Sequence, residues 1–180
     1  IPSKKAEPVK LWLARLGKER IDEEFDPEIT INRALESYKR KGFSDEWINQ
    51  RLKSIDARKE FTDELKNNGV QNAKDYAMLT NLLTEIWSGY SVKAYKEIKD
   101  LQKENLRDNM TNMELVLNML AEVTSTEISK NSNEVGYENA KSSVIKGGTI
   151  AKNTREQIEK ETGKKIVNSM NHKKQKRLSD

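Results

Sequence analysis

Residues 111–130 read TNMELVLNMLAEVTSTEISK and hold the most apolar helical pattern in this 180-residue chain. Thr111 and Glu114 have the spacing of a capping box, in which each side chain binds the other residue's backbone amide at the start of a helix. Apolar side chains then follow on nearly every side of the helix. This pattern is typical of a helix surrounded by other helices, so we expect a buried central helix with the rest of the fold packed around it.

Helical spacing of apolar residues continues on both sides of this segment. Val9, Trp12, Leu13 and Leu16 recur at three- and four-residue intervals and predict a helix over residues 8–23. Residues typical of helix starts and stops follow at intervals, namely Asp26-Pro27, Gly42, Ser44, Asn68-Gly69, Asn72, Gly89 and Ser91. No segment alternates apolar and polar residues as a half-buried strand does. We therefore predict an all-α fold, an irregular domain of six to eight helices with a looser C-terminal helical extension and a basic tail.

The composition changes after residue 130, where the chain becomes polar and later apolar residues are small or β-branched. Gly147 and Gly148 each cost a helix about 1 kcal/mol relative to alanine, so they mark either a helix break or the close approach of another backbone. We assign residues 1–130 to a helical core domain. We assign residues 131–163 to a helical extension, which forms either one broken helix or a helix pair. We expect this extension to be ordered by a partner or by self-association. Residues 164–180 become a basic disordered tail.

Basic charge is concentrated in that tail. Residues 164–180 carry six basic side chains and one acidic one, whereas the rest of the chain carries 27 basic and 28 acidic side chains. The basic residues are Lys164, Lys165, Lys173, Lys174, Lys176 and Arg177. Such a segment binds phosphates without sequence preference or simply keeps the chain in solution, and both interpretations stay open.

Several classes of protein and of site are disfavoured by composition. The chain has no Cys and a single His, which excludes a thiolate metal site and a histidine-rich centre. The sequence predicts no signal peptide and has no apolar run of membrane-spanning length, so we expect a cytoplasmic protein. Glu60, Asp63 and Glu64 have the pattern of a solvated helix face. We expect no enzyme, no metal and no cofactor, with a metal-dependent nuclease as the least favoured alternative.

A polar segment of mixed charge precedes the central helix. It contains Lys103, Glu104, Arg107 and Asp108. In one interpretation Arg107 and Asp108 pair with each other and fix the start of the helix. In the other, the segment is a patch on a partner-binding surface.

The three tryptophans are interpreted separately. Trp12 and Trp87 lie on apolar helical faces and are predicted to be core residues. Trp47 lies in the first turn of a predicted helix beside Phe43, where it serves either as a hydrophobic staple or as an exposed anchor for a partner.

Four segments resemble one family of phage and bacterial proteins. They are IPSKKAEPVKLWLA at 1–14, FSDEWINQRL at 43–52, KENLRDNMT at 103–111 and TEIS at 126–129. Together they resemble the region that follows the BRO domain in BRO-family prophage antirepressors and in proteins called DNA-damage-inducible protein D. Asn109 stands where many relatives have His.

The resemblance implies a role in prophage induction or the DNA-damage (SOS) response and in transcription regulation, with a DNA-binding BRO domain preceding this region. It implies no catalytic residue set. Since the chain begins with Ile1 rather than Met, we expect it to be part of a longer protein. We expect a non-catalytic interaction domain that binds a repressor, a recombinase or a second copy of itself. The alternative is nucleic-acid binding through the basic tail.

Overall fold

The computed structural model describes residues 6–132 and 134–171 and is all-helical over this part of the chain. Seven α-helices and one 3-10 helix are present in the described residues, and these residues contain no strand. The bounds are α1 Glu7–Phe25, α2 Glu28–Arg40, α3 Asp45–Asn67, α4 Ala73–Ser88, α5 Val92–Ile98, the 3-10 helix Arg107–Asn109, α6 Asn112–Lys130 and α7 Tyr137–Thr162. The predicted all-α class is confirmed.

The chain divides into two compact units between Ser44 and Asp45. The sequence interpretation instead placed its boundary after residue 130. The difference arises because α7 packs extensively against α4 and α6, so residues 131–163 share the core of the larger unit. In its described residues, the smaller unit consists of the α1–α2 pair.

The smaller unit follows its local sequence signals closely. Pro8 lies in the first turn of α1, and the Asp26 carboxylate accepts a hydrogen bond from the Glu28 amide at the start of α2 (3.0 Å). Gly42 follows α2 with a φ of 87°, as the predicted stop requires. No residue of α1 or α2 is buried, however. Trp12 is 60% exposed, so its predicted core position is wrong.

The larger unit is built around α6, which contacts α3, α4 and α7. The predicted capping box is present: the Thr111 hydroxyl accepts from the Glu114 amide, and the Glu114 carboxylate accepts from the Thr111 amide. Trp87 is fully buried as predicted. The central position of this helix is therefore confirmed.

The buried residues of α6 include a polar stripe that the sequence analysis did not predict. Glu114, Asn118 and Glu122, which recur every four residues and form one stripe on the helix, are buried. Met113, Val116 and Val123 are exposed instead. The core of this unit therefore contains a polar stripe that must be compensated by partners on other helices.

Helix α7 is continuous through Gly147 and Gly148, so the predicted helix break is wrong. The alternative interpretation, close approach of another backbone, is confirmed. A Cβ atom at Gly147 would lie 2.5 Å from the Ser125 amide nitrogen and 2.8 Å from its Cα. The glycine thus allows α7 to contact α6 at the backbone, and the extension is ordered by packing within its own chain.

Residues 164–171 fold back onto the larger unit. Ile166 and Val167 are buried, and the Asn171 side-chain amide donates to the Lys99 carbonyl (2.7 Å). These residues differ from the disordered tail that the sequence predicted, because they carry two apolar side chains that find a buried position. Residues 172–180, the rest of that predicted tail, lie outside the described residues.

None of the helices in the described part of the chain has the length and apolar content needed to cross a membrane.

Candidate functional site

Trp47, one candidate for a partner surface, is only 4% exposed. Its indole Nε1 donates to the Met110 carbonyl at 2.9 Å, which ties the start of α3 to the residue that precedes the α6 cap. A partner cannot reach this ring while α3 stays packed. The prediction of an exposed anchor at Trp47 is therefore wrong, and the residue acts as an internal tie.

Arg107 and Asp108 both form ion pairs, but not with each other. Asp108 accepts from Arg51 Nε at 2.9 Å, and Arg107 Nη2 donates to Glu122 at 2.5 Å. These contacts connect the 3-10 helix to α3 and to α6. The pairing of the two residues with each other, which the structural interpretation assumed, is therefore wrong. They hold the segment before α6 in position through Arg51 and Glu122 instead.

Arg58 is the second cation near the Glu122 carboxylate, at 3.4 Å. Burial lowers the pKa of Arg58, as does the nearby charge of Arg107, whereas Glu122 acts in the opposite direction. An arginine remains protonated despite such a shift. The buried carboxylate of Glu122 is thus held by two cations from different elements, which balances its charge inside the unit.

Lys103 and Glu104 are the exposed members of the predicted partner patch. The Glu104 carboxylate accepts from the backbone amides of Gln102 and Lys103 at 2.9 and 3.1 Å. It therefore shapes the turn after α5. Because Trp47 is inaccessible and the partners of Arg107 and Asp108, Glu122 and Arg51, are buried inside the unit, the five predicted residues do not form one accessible surface.

Two fully buried charges belong to a group that the sequence analysis missed. Lys99 and Glu114 are both fully buried, and Lys99 Nζ donates to the Glu114 carboxylate at 2.6 Å. Lys99 also donates to the Met170 carbonyl at 2.6 Å, and Tyr95 donates to Glu114 at 2.8 Å. Burial, reinforced by the charge of Glu114, raises the pKa of Tyr95 far above its ordinary value. The group joins α5, α6 and the C-terminal segment.

A second buried polar group corrects the interpretation of Glu64. Its carboxylate accepts from the Asn68 amide and from the Ser129 hydroxyl, each at 2.8 Å. Glu64 is therefore buried between α3 and α6 and does not belong to a solvated face. The detectable signal was the recurrence of polar residues along α6 at spacings of three and four, ending at Ser129.

The basic candidates at the C-terminal end have only two described members. Lys164 is exposed, and Lys165 Nζ donates to the Glu159 carboxylate at 2.9 Å. Burial would raise the pKa of Glu159, but hydrogen bonds from Lys165 and from the Ile166 amide, with the charge of Arg155, hold it below its ordinary value. This contact anchors residues 164–171 to α7. The other candidates, Lys173, Lys174, Lys176 and Arg177, lie outside the described residues.

The described residues do not bring three His, Cys, Asp or Glu side chains together in a group that could hold a metal ion. An open cleft of about 260 Å³ borders the ion-pair network, and its lining includes Lys96, Asn105, Arg107 and Asn118. The charge of Arg107 in this cleft is already balanced by Glu122.

The smaller unit presents an exposed apolar surface. Glu23 on α1 pairs with Arg33 on α2 at 2.7 Å and so marks the side of α1 that faces α2. Ile21 and Phe25 are each two residues from Glu23, which places them on the opposite side at about 100° per residue. Leu11 lies within about 80° of both. These three side chains, which we call the outer face of α1, are 60–85% exposed.

A known family matches most of the chain. Residues 43–176 match the model of the DinD C-terminal domain, which covers about three quarters of the chain. No curated protein matches the chain. The match includes α3 to α7, the buried Lys99–Glu114 pair and the segment that folds back onto them. The chain therefore belongs to the DinD C-terminal domain family.

Proposed function

We propose that this chain is a non-catalytic regulatory domain of a DNA-damage-inducible protein of the BRO-type antirepressor group, and that it acts by binding another protein. The partner is a repressor, a recombinase or a second copy of the chain. Family membership supports the DNA-damage context. The proposal that the chain binds another protein is supported by the exposed residues on its surface.

The observation that carries this proposal is the outer face of α1. Large apolar side chains clustered on one exposed helical face are typical of protein interaction sites, and aromatic anchors contribute strongly to binding. Phe25, the aromatic residue of this face, is 85% exposed.

The polar residues of the larger unit support the same assignment. Arg51, Arg107 and Asp108 hold helices together through ion pairs. Their role in positioning α3 and α6 accounts for the polar segment before α6 and requires no ligand. We therefore place the interaction surface on α1 and not on residues 103–110.

A photo-crosslinking amino acid in place of Phe25 tests the proposal in cells before and after DNA damage. We expect covalent adducts of the chain with a repressor, a recombinase or a second copy, identified by mass spectrometry. The matched control carries the same group at Val135, an apolar residue that is also highly exposed but belongs to the larger unit. Equal labelling at the two positions would contradict an interaction through α1.

The alternative function is nucleic-acid binding through the basic C-terminal residues, and the charge concentrated in residues 164–180 supports it. Deleting residues 172–180 removes four of the six cations and leaves the packed segment intact. If these residues bind phosphates, the affinity for single-stranded DNA measured by anisotropy falls steeply with salt and is lost on deletion. Equal binding by both forms, or a flat salt response, would contradict this function.

A further inference from the structure

We propose that the partner of the outer face of α1 is α1 of a second copy of the chain, paired in antiparallel orientation. This inference rests on the proposed function and names the occupant of the same surface. Helices α1 and α2 bury no residue, and a two-helix unit of this size rarely forms a sufficient core by itself. A second copy supplies the missing apolar contacts.

The apolar residues of the outer face suit a twofold axis. Leu11 and Phe25 are equally distant from Lys18, at the middle of the face. In an antiparallel pair centred there, Leu11 of each copy meets Phe25 of the other, and Ala14 lies within one residue of the position opposite Ile21. The contact runs about 21 Å along the helix. Each bulky side chain therefore meets an apolar residue of the second copy.

The charges of α1 favour the antiparallel orientation. Its first half carries Lys10 and Arg15 against a single acid, Glu7, and its last turn carries Asp22, Glu23 and Glu24 without a basic residue. Of these three acids, Glu23 faces α2. Isolated helices are stabilised by acidic residues at the start and basic residues at the end, so the acidic last turn is unfavourable for α1 alone. Antiparallel pairing places each basic half against an acidic half, whereas parallel pairing would place like charges together.

One charged pair has the geometry of an interhelical contact. Arg15 and Asp22 are seven residues apart and lie within about 20° of each other around the helix, on one flank of the outer face. Residues on the same flank meet across an antiparallel pair, so Arg15 of each copy faces Asp22 of the other. Lys18, at the centre, lies opposite Lys18 of the second copy, and the repulsion between the two charges weakens the dimer. The apolar stem of each lysine still covers the interface.

The test is the oligomeric state of the full chain, measured by size-exclusion chromatography with light scattering over a range of concentrations. We expect a dimer. Arg15→Asp and Asp22→Arg each place like charges at the two contacts between positions 15 and 22 of the two copies, so each should raise the dissociation constant of the dimer about tenfold. An equimolar mixture of the two variants restores opposite charges at both contacts and should form a heterodimer. Lys18→Leu should tighten the dimer.

Ile21→Asp should abolish the dimer, and the matched control Val135→Asp, at an exposed apolar residue of the larger unit, should leave it unchanged. Helical circular dichroism confirms that each variant is folded.

A monomer at every concentration, or failure of the charge variants to pair in mixture, would overturn the self-association. A monomer that still crosslinks from position 25 to a repressor or a recombinase leaves the proposed function standing. A chain that neither dimerises nor crosslinks removes both.

Discussion

Lys99→Met is expected to lower the free energy of unfolding of the larger unit by about 3–5 kcal/mol. Lys99 and its partner Glu114 are fully buried, so the substitution leaves a carboxylate without its cation inside the protein. It also removes the hydrogen bond from Lys99 to the Met170 carbonyl. We therefore expect faster tryptic cleavage at Lys164 in addition to a lower midpoint in urea.

Two further variants separate the cause from a general loss of packing. Lys93→Met removes a lysine from an exposed position of α5 and should change stability by less than about 0.5 kcal/mol. Lys99→Met combined with Glu114→Gln removes both charges and should recover part of the loss, since no unpaired charge then stays buried. The single amide oxygen of the glutamine can keep only one of the two hydrogen bonds that the Glu114 oxygens accept from Tyr95 and Thr111. A double variant no more stable than Lys99→Met would show that the unpaired charge is not the cause.

The local signals in the sequence predicted the helix boundaries well, because each depends on a few neighbouring residues. Gly42 and Gly89 have the left-handed backbone expected of helix stops, and Ser91 accepts a hydrogen bond from the Ala94 amide at the start of α5. The Thr111–Glu114 capping box depends only on residues three apart. These features need no knowledge of tertiary packing.

The candidate site was harder to predict, because it depends on which distant residues meet. Lys99 follows a stretch of sequence that is typical of an exposed helix end. Its neighbours in sequence do not show that Glu114 and Met170 contact it in the fold. Trp12 shows the opposite failure. Its apolar spacing predicted burial, but α1 contacts only α2 within its unit, and no residue of either helix is buried.

The glycine pair illustrates how one sequence signal allows two outcomes. Adjacent glycines weaken a helix, but they also let another backbone approach. Sequence alone could not choose between these outcomes, because the choice depends on Ser125, a residue of another helix. In α7 the packing against α6 offsets the loss of helix propensity, and the helix stays continuous.

The close contact between Gly147 and Ser125 predicts a second large change in stability. Gly147→Ala is expected to lower the stability of the larger unit by about 1–3 kcal/mol, although alanine is the better helix former by about 1 kcal/mol. The new Cβ would meet the Ser125 amide nitrogen and Cα, which are backbone atoms of α6 and cannot rotate away. The two helices must therefore separate. Thermal and urea unfolding, followed by circular dichroism, measure the change.

The neighbouring glycine is the matched control. A Cβ at Gly148 would lie 3.0 Å from Cγ2 of Ile86, a side-chain atom that can shift by a few tenths of an ångström, so Gly148→Ala should cost clearly less than Gly147→Ala. At Gly17 in α1 a Cβ meets open space, and Gly17→Ala should raise helicity without loss of stability. Equal effects at Gly147 and Gly148 would mean that backbone contact with α6 does not decide the choice of residue. If Gly147→Ala alone destabilises the unit, the glycine is required by the packing of α7 on α6.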